Sequence, residues 1–335
     1  MTLQAADELR HFNQVSDDYF WRESLYFNFN DARNEIGGWL YLWVVPNQPQ
    51  PSGMLVSFYH GAWPSMDVNE VAAASPSHRL EDGDKWIYCF QKNADYLLSA
   101  DFDDVELFGL HFRRSVPLKR QHLTFDDGSG TSFDLTAEFL SPPFDYADGA
   151  FPTPSWMAAN RYHRAWRVDG SLCIAGKKYS VCCTGDSDHS WGQRHNLEFA
   201  KHVFKMWSLQ TADGRLAISV LYQGVDEDDH QIPLGFVMMD GVQASAATID
   251  TRARYDANGV QYDITLELTD TLGRKIKASM PKMHSYIGHG AHERFWGFEG
   301  VGDFIVEGVG RVPGLSSYFW PARVKPSDLQ AGKYA

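Results

Sequence analysis

In the run Gln261-Tyr262-Asp263-Ile264-Thr265-Leu266-Glu267-Leu268-Thr269, apolar and polar side chains alternate one by one. An extended strand puts such a set of apolar residues on one face, because successive strand side chains point to opposite sides. The run predicts a sheet with one buried face and one wet face. The same texture recurs as short aromatic and branched runs. Gly38 to Val45, Met54 to Tyr59, Val105 to Phe112 and Gln121 to Phe125 lie in the first half; Leu172 to Ile174, Tyr179 to Cys183, Arg215 to Tyr222, Leu234 to Met239 and Lys275 to Ala278 lie in the second. Asp127-Gly128, Asp213-Gly214 and Asn258-Gly259 stand between such runs, and these dipeptides suit tight hairpin turns. Hairpins make antiparallel sheets. The expected fold is therefore all-β, built from two antiparallel barrel or sandwich domains with few short helices.

A boundary between the two is expected in Ser141 to Pro154, where four prolines in fourteen residues cannot continue a central strand. This divides the chain into domains 1–150 and 151–335. An echo across the boundary fits two similar β-domains: Phe125-Asp126-Asp127-Gly128 leads to Phe133-Asp134-Leu135-Thr136, and Tyr255 to Gly259 leads to Tyr262-Asp263-Ile264-Thr265. The aromatic share of 14% suits half-buried pleated surfaces and also pockets for flat or greasy ligands.

Charge and cysteine content exclude several functions. A formal net charge of -13 opposes binding to a phosphate backbone, so no nucleic-acid partner is expected. Met1 to Glu8 lacks a basic and apolar leader, and no run approaches the length of a membrane span, so a cytoplasmic protein is expected. Cys89, Cys173, Cys182 and Cys183 show no CxxC spacing, and the adjacent pair would face opposite sides of a strand. They read as small strand hydrophobes, with neither a metal nor a disulfide framework.

Chemistry concentrates in Cys183-Thr184-Gly185-Asp186-Ser187-Asp188-His189-Ser190-Trp191-Gly192-Gln193-Arg194-His195, placed by the preceding Lys178 to Cys183 run at the mouth of a strand. A serine-hydrolase elbow is disfavoured, because Asp188 stands where Gly-x-Ser-x-Gly needs its first glycine, and a carboxylate there opposes an alkoxide. Asp188 beside His189, partly desolvated by Trp191, instead suits general acid and base work, with Asp186 and Arg194 nearby. A polar corner of capped amides and ion pairs is the structural alternative.

Asp188-His189-Ser190-Trp191-Gly192 followed by Arg194 resembles the signature of two-domain lipocalin-like proteins that include carotenoid 1,2-hydratase, kievitone hydratase and AttH-type proteins, in particular their bacterial domain-of-unknown-function branch. Glu23 to Asp31, Ile36-Gly37-Gly38-Trp39 and Pro46-Asn47 are similar to the opening of the same branch, so the resemblance covers nearly the whole chain. It implies two lipocalin-like domains, and activities that range over hydratases and pericyclases. Members commonly carry Arg before the Asp-His-Ser-Trp run, where this chain has Ser187. The resemblance also places a Gly-Val-Gly segment such as Gly300-Val301-Gly302 near the second domain's pocket, which makes Glu299 a second acid or base candidate.

Further pocket candidates are Tyr59, His60 and Trp63 at the end of an early strand, Tyr162 and His163 after the proline-rich stretch, and His195, His289 and Trp296. The stretch His284 to Glu293 holds three imidazoles and a carboxylate, but lacks His-Glu-x-x-His spacing, so imidazoles at a pocket mouth are expected there and no metal. Glycines around 300 and 308 lack the strand and helix context of a dinucleotide site. The function expected is a cofactor-independent hydratase, dehydratase or isomerase for a hydrophobic isoprenoid, aromatic or polyketide-like molecule, held between the domains. Asp188 would be the acid, His189 its partner, and Arg194 and Trp191 would orient substrate and stabilise charge. A lipophilic carrier and a pericyclase of the same fold are the alternatives.

Overall fold

The computed structural model describes residues 3–64, 71, 78–96, 101–154, 156–195, 201–224, 231–292 and 294–332, without the side chains of 223, 224, 231, 291 and 292. The strands are β1 (Trp21–Asp31), β2 (Ile36–Val44), β3 (Ser52–His60), β4 (Ala62–Trp63), β5 (Arg79–Asp82), β6 (Lys85–Ala94), β7 (Asp104–Leu107), β8 (Leu110–Val116), β9 (Arg120–Asp126), β10 (Ser132–Phe139), β11 (Phe144–Asp145), β12 (Asn160–Ile174) and β13 (Lys177–Gln193). They continue with β14 (Phe204–Gln210), β15 (Leu216–Gly224), β16 (Gln231–Met239), β17 (Val242–Tyr255), β18 (Gln261–Asp270), β19 (Lys275–Met280), β20 (Met283–His292), β21 (Phe295–Val306) and β22 (Gly310–Pro321). A five-residue helix, α1 (Pro326–Gln330), follows. No described helix is long and apolar enough to cross a membrane.

The all-β reading holds. One sheet runs β5-β6-β3-β2-β1-β13-β12-β10-β9-β8-β7, with β11 beside β12. The other runs β19-β18-β17-β16-β15-β14-β22-β21-β20-β4, and pairing of β19 with β21 closes eight of its strands into a barrel. The expected hairpins form at Asp213-Gly214 and Asn258-Gly259, whose glycines take the left-handed φ of +72° and +88° that such turns require. The echoing segments are the β9–β10 and β17–β18 hairpins, one in each sheet. Cys182 is exposed and Cys183 buried, as adjacent strand residues should be.

Three expectations are corrected. Val105 to Phe112 is two strands, because Phe108 and Gly109 both take positive φ and turn the chain back. The polar motif lies inside β13 and not at a strand mouth; its carboxylates are tolerated there because both neighbouring strands and the second sheet supply partners. Sheet membership changes between Gln193 and Phe204, later than the proline-rich stretch, because β12 and β13 pair with β10 and β1 of the first sheet. The motif therefore belongs to the first sheet.

Three apolar layers hold the molecule. Inside the curl of the first sheet, Leu25, Phe27, Leu40, Met54, Phe112 and Leu123 pack around Trp166. Inside the barrel, Trp207, Ile218, Tyr222, Leu266, Tyr318 and Trp320 pack as a second apolar core. Between the sheets, Phe144, Trp156, Met206, Leu221, Phe236 and Leu315 form the third layer. Trp166 stacks on Phe27 at 5.1 Å and donates its indole N–H to the Asn28 carbonyl at 2.9 Å. Gly185 fits here only because it lacks a Cβ, which would collide with that carbonyl and the indole. Trp166→Ala should lower unfolding stability by about 3–5 kcal/mol in denaturant titration, whereas a drop under about 1 kcal/mol would show that the first core does not depend on this ring.

Candidate active site

Alternation along β13 sorts the motif onto two faces. Asp186, Asp188 and Ser190 face the second sheet; Ser187, His189 and Trp191 face the inside of the first. A cavity of about 280 Å³ lies between the sheets on the Asp188 side. Its first-sheet wall includes Tyr26, Trp39, Tyr41, Arg161, Asp188 and Arg194; its second-sheet wall includes Phe204, Met206, Leu221, Glu299, Ser317 and Phe319. Of the acids and cations chosen from sequence, Asp188, Arg194 and Glu299 reach this cavity.

Asp188 is not the neutral acid expected. Its Oδ2 lies 2.6 Å from Arg161 Nη2 and 3.0 Å from His163 Nε2. Burial alone would raise its pKa, but Arg161 and His163 outweigh burial and hold the carboxyl below its ordinary value. Glu299 is the opposite case. Burial pushes it up to about 7, with a hydrogen bond from Ser317 pulling down and the nearby Asp186 adding to the rise. Thus one carboxyl in the wall stays ionised and another is half-protonated near neutrality, a division typical of acid-base sites. Burial likewise raises the Tyr26 hydroxyl, and the charge of Glu299 adds to this.

The cations are placed to receive a polar group. Arg161 spans Asp188 and the face of Tyr146, 5.4 Å from its ring centre. Arg194 donates to the Trp156 carbonyl at 3.3 Å and to Tyr41 Oη at 3.5 Å, and lines the same cavity. Both guanidiniums keep further N–H groups for a ligand oxygen.

His189 does not partner Asp188, because one residue along a strand reverses the side-chain direction. Its Nε2 lies 3.0 Å from Glu23 Oε1, which also lies 2.8 Å from His11 Nδ1. Burial lowers the His189 pKa against the pull of Glu23, so the ring is held neutral. Burial would raise Glu23, yet hydrogen bonds from His11 and His189 bring it to about 2. Trp191 stacks on His11 at 3.7 Å and donates to Gln14 Oε1 at 2.9 Å, away from the cavity. Of the described residues, His11, Glu23 and His189 stand close enough to share a cation. Arg10 Nε already occupies the other Glu23 oxygen at 3.1 Å, and the His11 backbone N–H donates to the same carboxylate, while His189 Nδ1 is buried without a hydrogen-bond partner among the described residues.

The remaining candidates are dispersed. Asp186 is buried beyond the wall, hydrogen-bonded to Asn28 and Ser219. His163 joins Asp188, while Tyr162 faces the His189 side, edge-on to that ring at 5.5 Å. Tyr59 is buried behind Trp39, 5.9 Å between rings; His60 leans on Trp86, and Trp63 donates to the His60 carbonyl. His195 is exposed near Phe20. His289 packs behind two wall residues, 5.8 Å from Trp39 and 5.2 Å from Phe319, whereas His284 pairs with Asp303. The His292 side chain and Glu293 lie outside the described residues. Trp296 packs on Trp320 and donates to the Val324 carbonyl, away from the cavity. Ser190 bonds Ser24 Oγ at 3.1 Å in mid-strand, without the strand-to-helix turn of a nucleophile elbow. Ser187 faces the curl beside Arg164, so an arginine at 187 would point away from the cavity. Arg161, Tyr26, Tyr41, Trp39 and Trp156 were not among the site residues chosen from sequence; nothing local marks them as pocket residues, because long-range strand pairing and the segment before β12 bring them together.

The chain's family follows from a match over residues 4–299. It belongs to the domain-of-unknown-function family DUF7064. No curated protein sequence matches this DUF7064 protein. Solved structures share its fold: CghA at 11% identity, covering 93% of this chain and 91% of that one, TM-score 0.60; an AttH protein from Nitrosomonas europaea at 12%, covering 94% and 97%, TM-score 0.53; and kievitone hydratase from Nectria haematococca at 10%, covering 93% of each, TM-score 0.50. These likenesses are of fold, and they agree with the all-β, two-domain architecture that was expected.

The Glu299 environment has a stability signature. A carboxyl at its ordinary 4.5 when unfolded and about 7 when folded binds protons more tightly in the folded protein. Its contribution is fully present below pH 4.5 and lost as pH rises through 7, a change of roughly 3 kcal/mol. Glu299→Gln should therefore be more stable than the parent at pH 8.5 and lose that advantage near pH 4.5, measured by denaturant unfolding at both values. A pH-independent difference would contradict the assignment.

Proposed function

We propose that this protein is a cofactor-independent lyase or isomerase for an apolar small molecule bearing an oxygen function, bound in the cavity between the sheets. The observation that carries the reading is Glu299, a carboxyl in an aromatic wall whose proton is poised near neutral pH. Arg161 and Arg194 would hold the substrate oxygen and stabilise negative charge that develops on it. Trp39, Phe204 and Phe319 would hold the carbon skeleton and exclude water. Glu299 would then give a proton to the skeleton, or take one from it, as hydration, dehydration or double-bond migration requires. The kievitone hydratase likeness supports the reaction class at the level of fold only. A carrier would not call for an acid so placed.

The test is deuterium incorporation from heavy water into a panel of prenylated, terpenoid and aromatic alkenes and enones. The parent protein should label one or more members, and Glu299→Gln should slow labelling by about 10²–10⁴-fold while still binding the compound. Binding without labelling by the parent would move the protein to the carrier or pericyclase class. Equal labelling by both proteins would remove Glu299 from the chemistry.

A further inference from the structure

A hydrogen-bonded chain leads from the cavity wall into the dry layer between the sheets. Asp188 Oδ2, in the wall, lies 3.0 Å from His163 Nε2. The other ring nitrogen, Nδ1, lies 3.1 Å from Ser219 Oγ. The Ser219 hydroxyl in turn donates to Asp186 Oδ2. Asp186 is fixed at the far end, since Asn28 Nδ2 donates to its Oδ1 and its own backbone N–H donates to Asn28 Oδ1 at 3.0 Å. The four groups come from β13, β12 and β15, so both sheets build the chain. His163, Ser219 and Asp186 are each 1% exposed, which keeps bulk water off every link.

We propose that Asp186 is a proton store for the cavity, and that Ser219 and His163 conduct its proton to Asp188. This rests on the proton-transfer reading above and gives Asp188 a task that its ion pair alone would deny it. In the resting arrangement Asp186 is the carboxylic acid and donates to Ser219 Oγ, whose hydroxyl, which donates to Oδ2 when Asp186 is ionised, is turned to His163 Nδ1. Ser219 donates to His163 Nδ1, and His163 Nε2–H donates to the Asp188 carboxylate. Ser219 and His163 each have one proton to pass on and one lone pair to receive another, and the Asp188 carboxylate supplies the accepting lone pair at the end. Delivery is one shift: the Asp188 carboxylate receives a proton from Nε2 and passes it to the substrate, while Nδ1 receives one from Ser219 and Ser219 receives one from Asp186. No electron pair leaves the chain, and the only net change is a carboxylate at Asp186 and a proton on the substrate. Ionised Glu299 would accept the proton that the substrate loses, and solvent entering after product release restores both sites.

The surroundings favour a stored proton at the Asp186 end. Burial raises its pKa, against His163 and the Ser219 bond, and the Asp188 charge adds to the rise. Glu299 is the further acid coupled to it. Arg161, by pairing with Asp188, keeps the proton away from the wall until a ligand engages that guanidinium. Ser219, His163 and Asp188 resemble a nucleophilic triad in composition. Ser219 is no nucleophile, because its hydroxyl is spent on Asp186 and His163 and does not line the cavity.

The alternative lies in the same atoms. Arg161 Nε donates toward His163 Nε2 at 3.2 Å, Arg161 Nη2 stands 2.7 Å from the same nitrogen, and Tyr146 Oη stands 3.1 Å from Nδ1. If Arg161 donates to Nε2, the ring carries its proton on Nδ1 and the chain is broken at Asp188. Nitrogen-15 NMR of histidine-labelled protein separates the two, with His163→Gln identifying the signal. The proposal expects an Nε2–H tautomer at pH 7 whose Nδ1 shift changes in Ser219→Ala. Infrared difference spectra should show a protonated carboxyl band at pH 7 that Asp186→Asn removes. An Nδ1–H tautomer, or a spectrum in which Asp186→Asn removes only carboxylate absorption, would overturn the relay. These readouts need no substrate, so they stand even if no panel compound is labelled. Where labelling occurs, Asp186→Asn and Ser219→Ala should slow it at least tenfold without weakening binding; unchanged rates would refute the relay and leave the Glu299 reading intact.

Discussion

Strand β13 separates two buried environments, and the rest of the site depends on satisfying both of its faces at once. A charged or polar side chain in a dry interior is costly unless it is paired. On the inner face, His189 is met by Glu23 and His11, which in turn tie down the N-terminal segment through Arg10. On the outer face, Asp188 is met by Arg161 and His163, and Asp186 by Asn28 and Ser219. Glu8 extends the inner pattern, joining Arg114 and Arg164 where the same segment covers the open side of the curl. The density of polar residues in this run is therefore the density of a wall with partners on both sides.

Chemical division of labour follows from unequal pairing. Asp188 and Glu299 are both carboxyl groups buried against one cavity, yet Asp188 touches a guanidinium and an imidazole whereas Glu299 has the Ser317 hydroxyl and an apolar wall. The first is held as an anion and the second keeps its proton to near neutrality. Trp207, Tyr222, Tyr318 and Trp320 pack inside the barrel, and the cavity that Asp188 and Glu299 share lies between the sheets.

Much of this was legible in sequence because strand chemistry is local. Alternation in Gln261 to Thr269 and turn glycines such as Gly214 and Gly259 are consequences of two-residue periodicity and of positive φ, and both appear where expected. The same periodicity, applied to Asp188-His189, would have placed their side chains on opposite faces; adjacency in sequence was mistaken for adjacency in space. Arg161, Ser219 and Tyr26 carry no local signal, since strand order alone brings them to the wall or its hydrogen-bonded extension. The proline-rich stretch ended a strand, as prolines must, but which sheet β12 and β13 join is decided by long-range pairing with β10 and β1.

The central claim is that a buried acid between the sheets holds its proton at neutral pH. It is tested most directly by following side-chain carboxyl carbon-13 shifts from pH 4 to 9, with the Glu299 signal identified by its loss in Glu299→Gln. The account predicts a midpoint at about 7. A midpoint at the ordinary 4.5 would mean that Glu299 is solvated and ionised in the working protein, and would contradict the account.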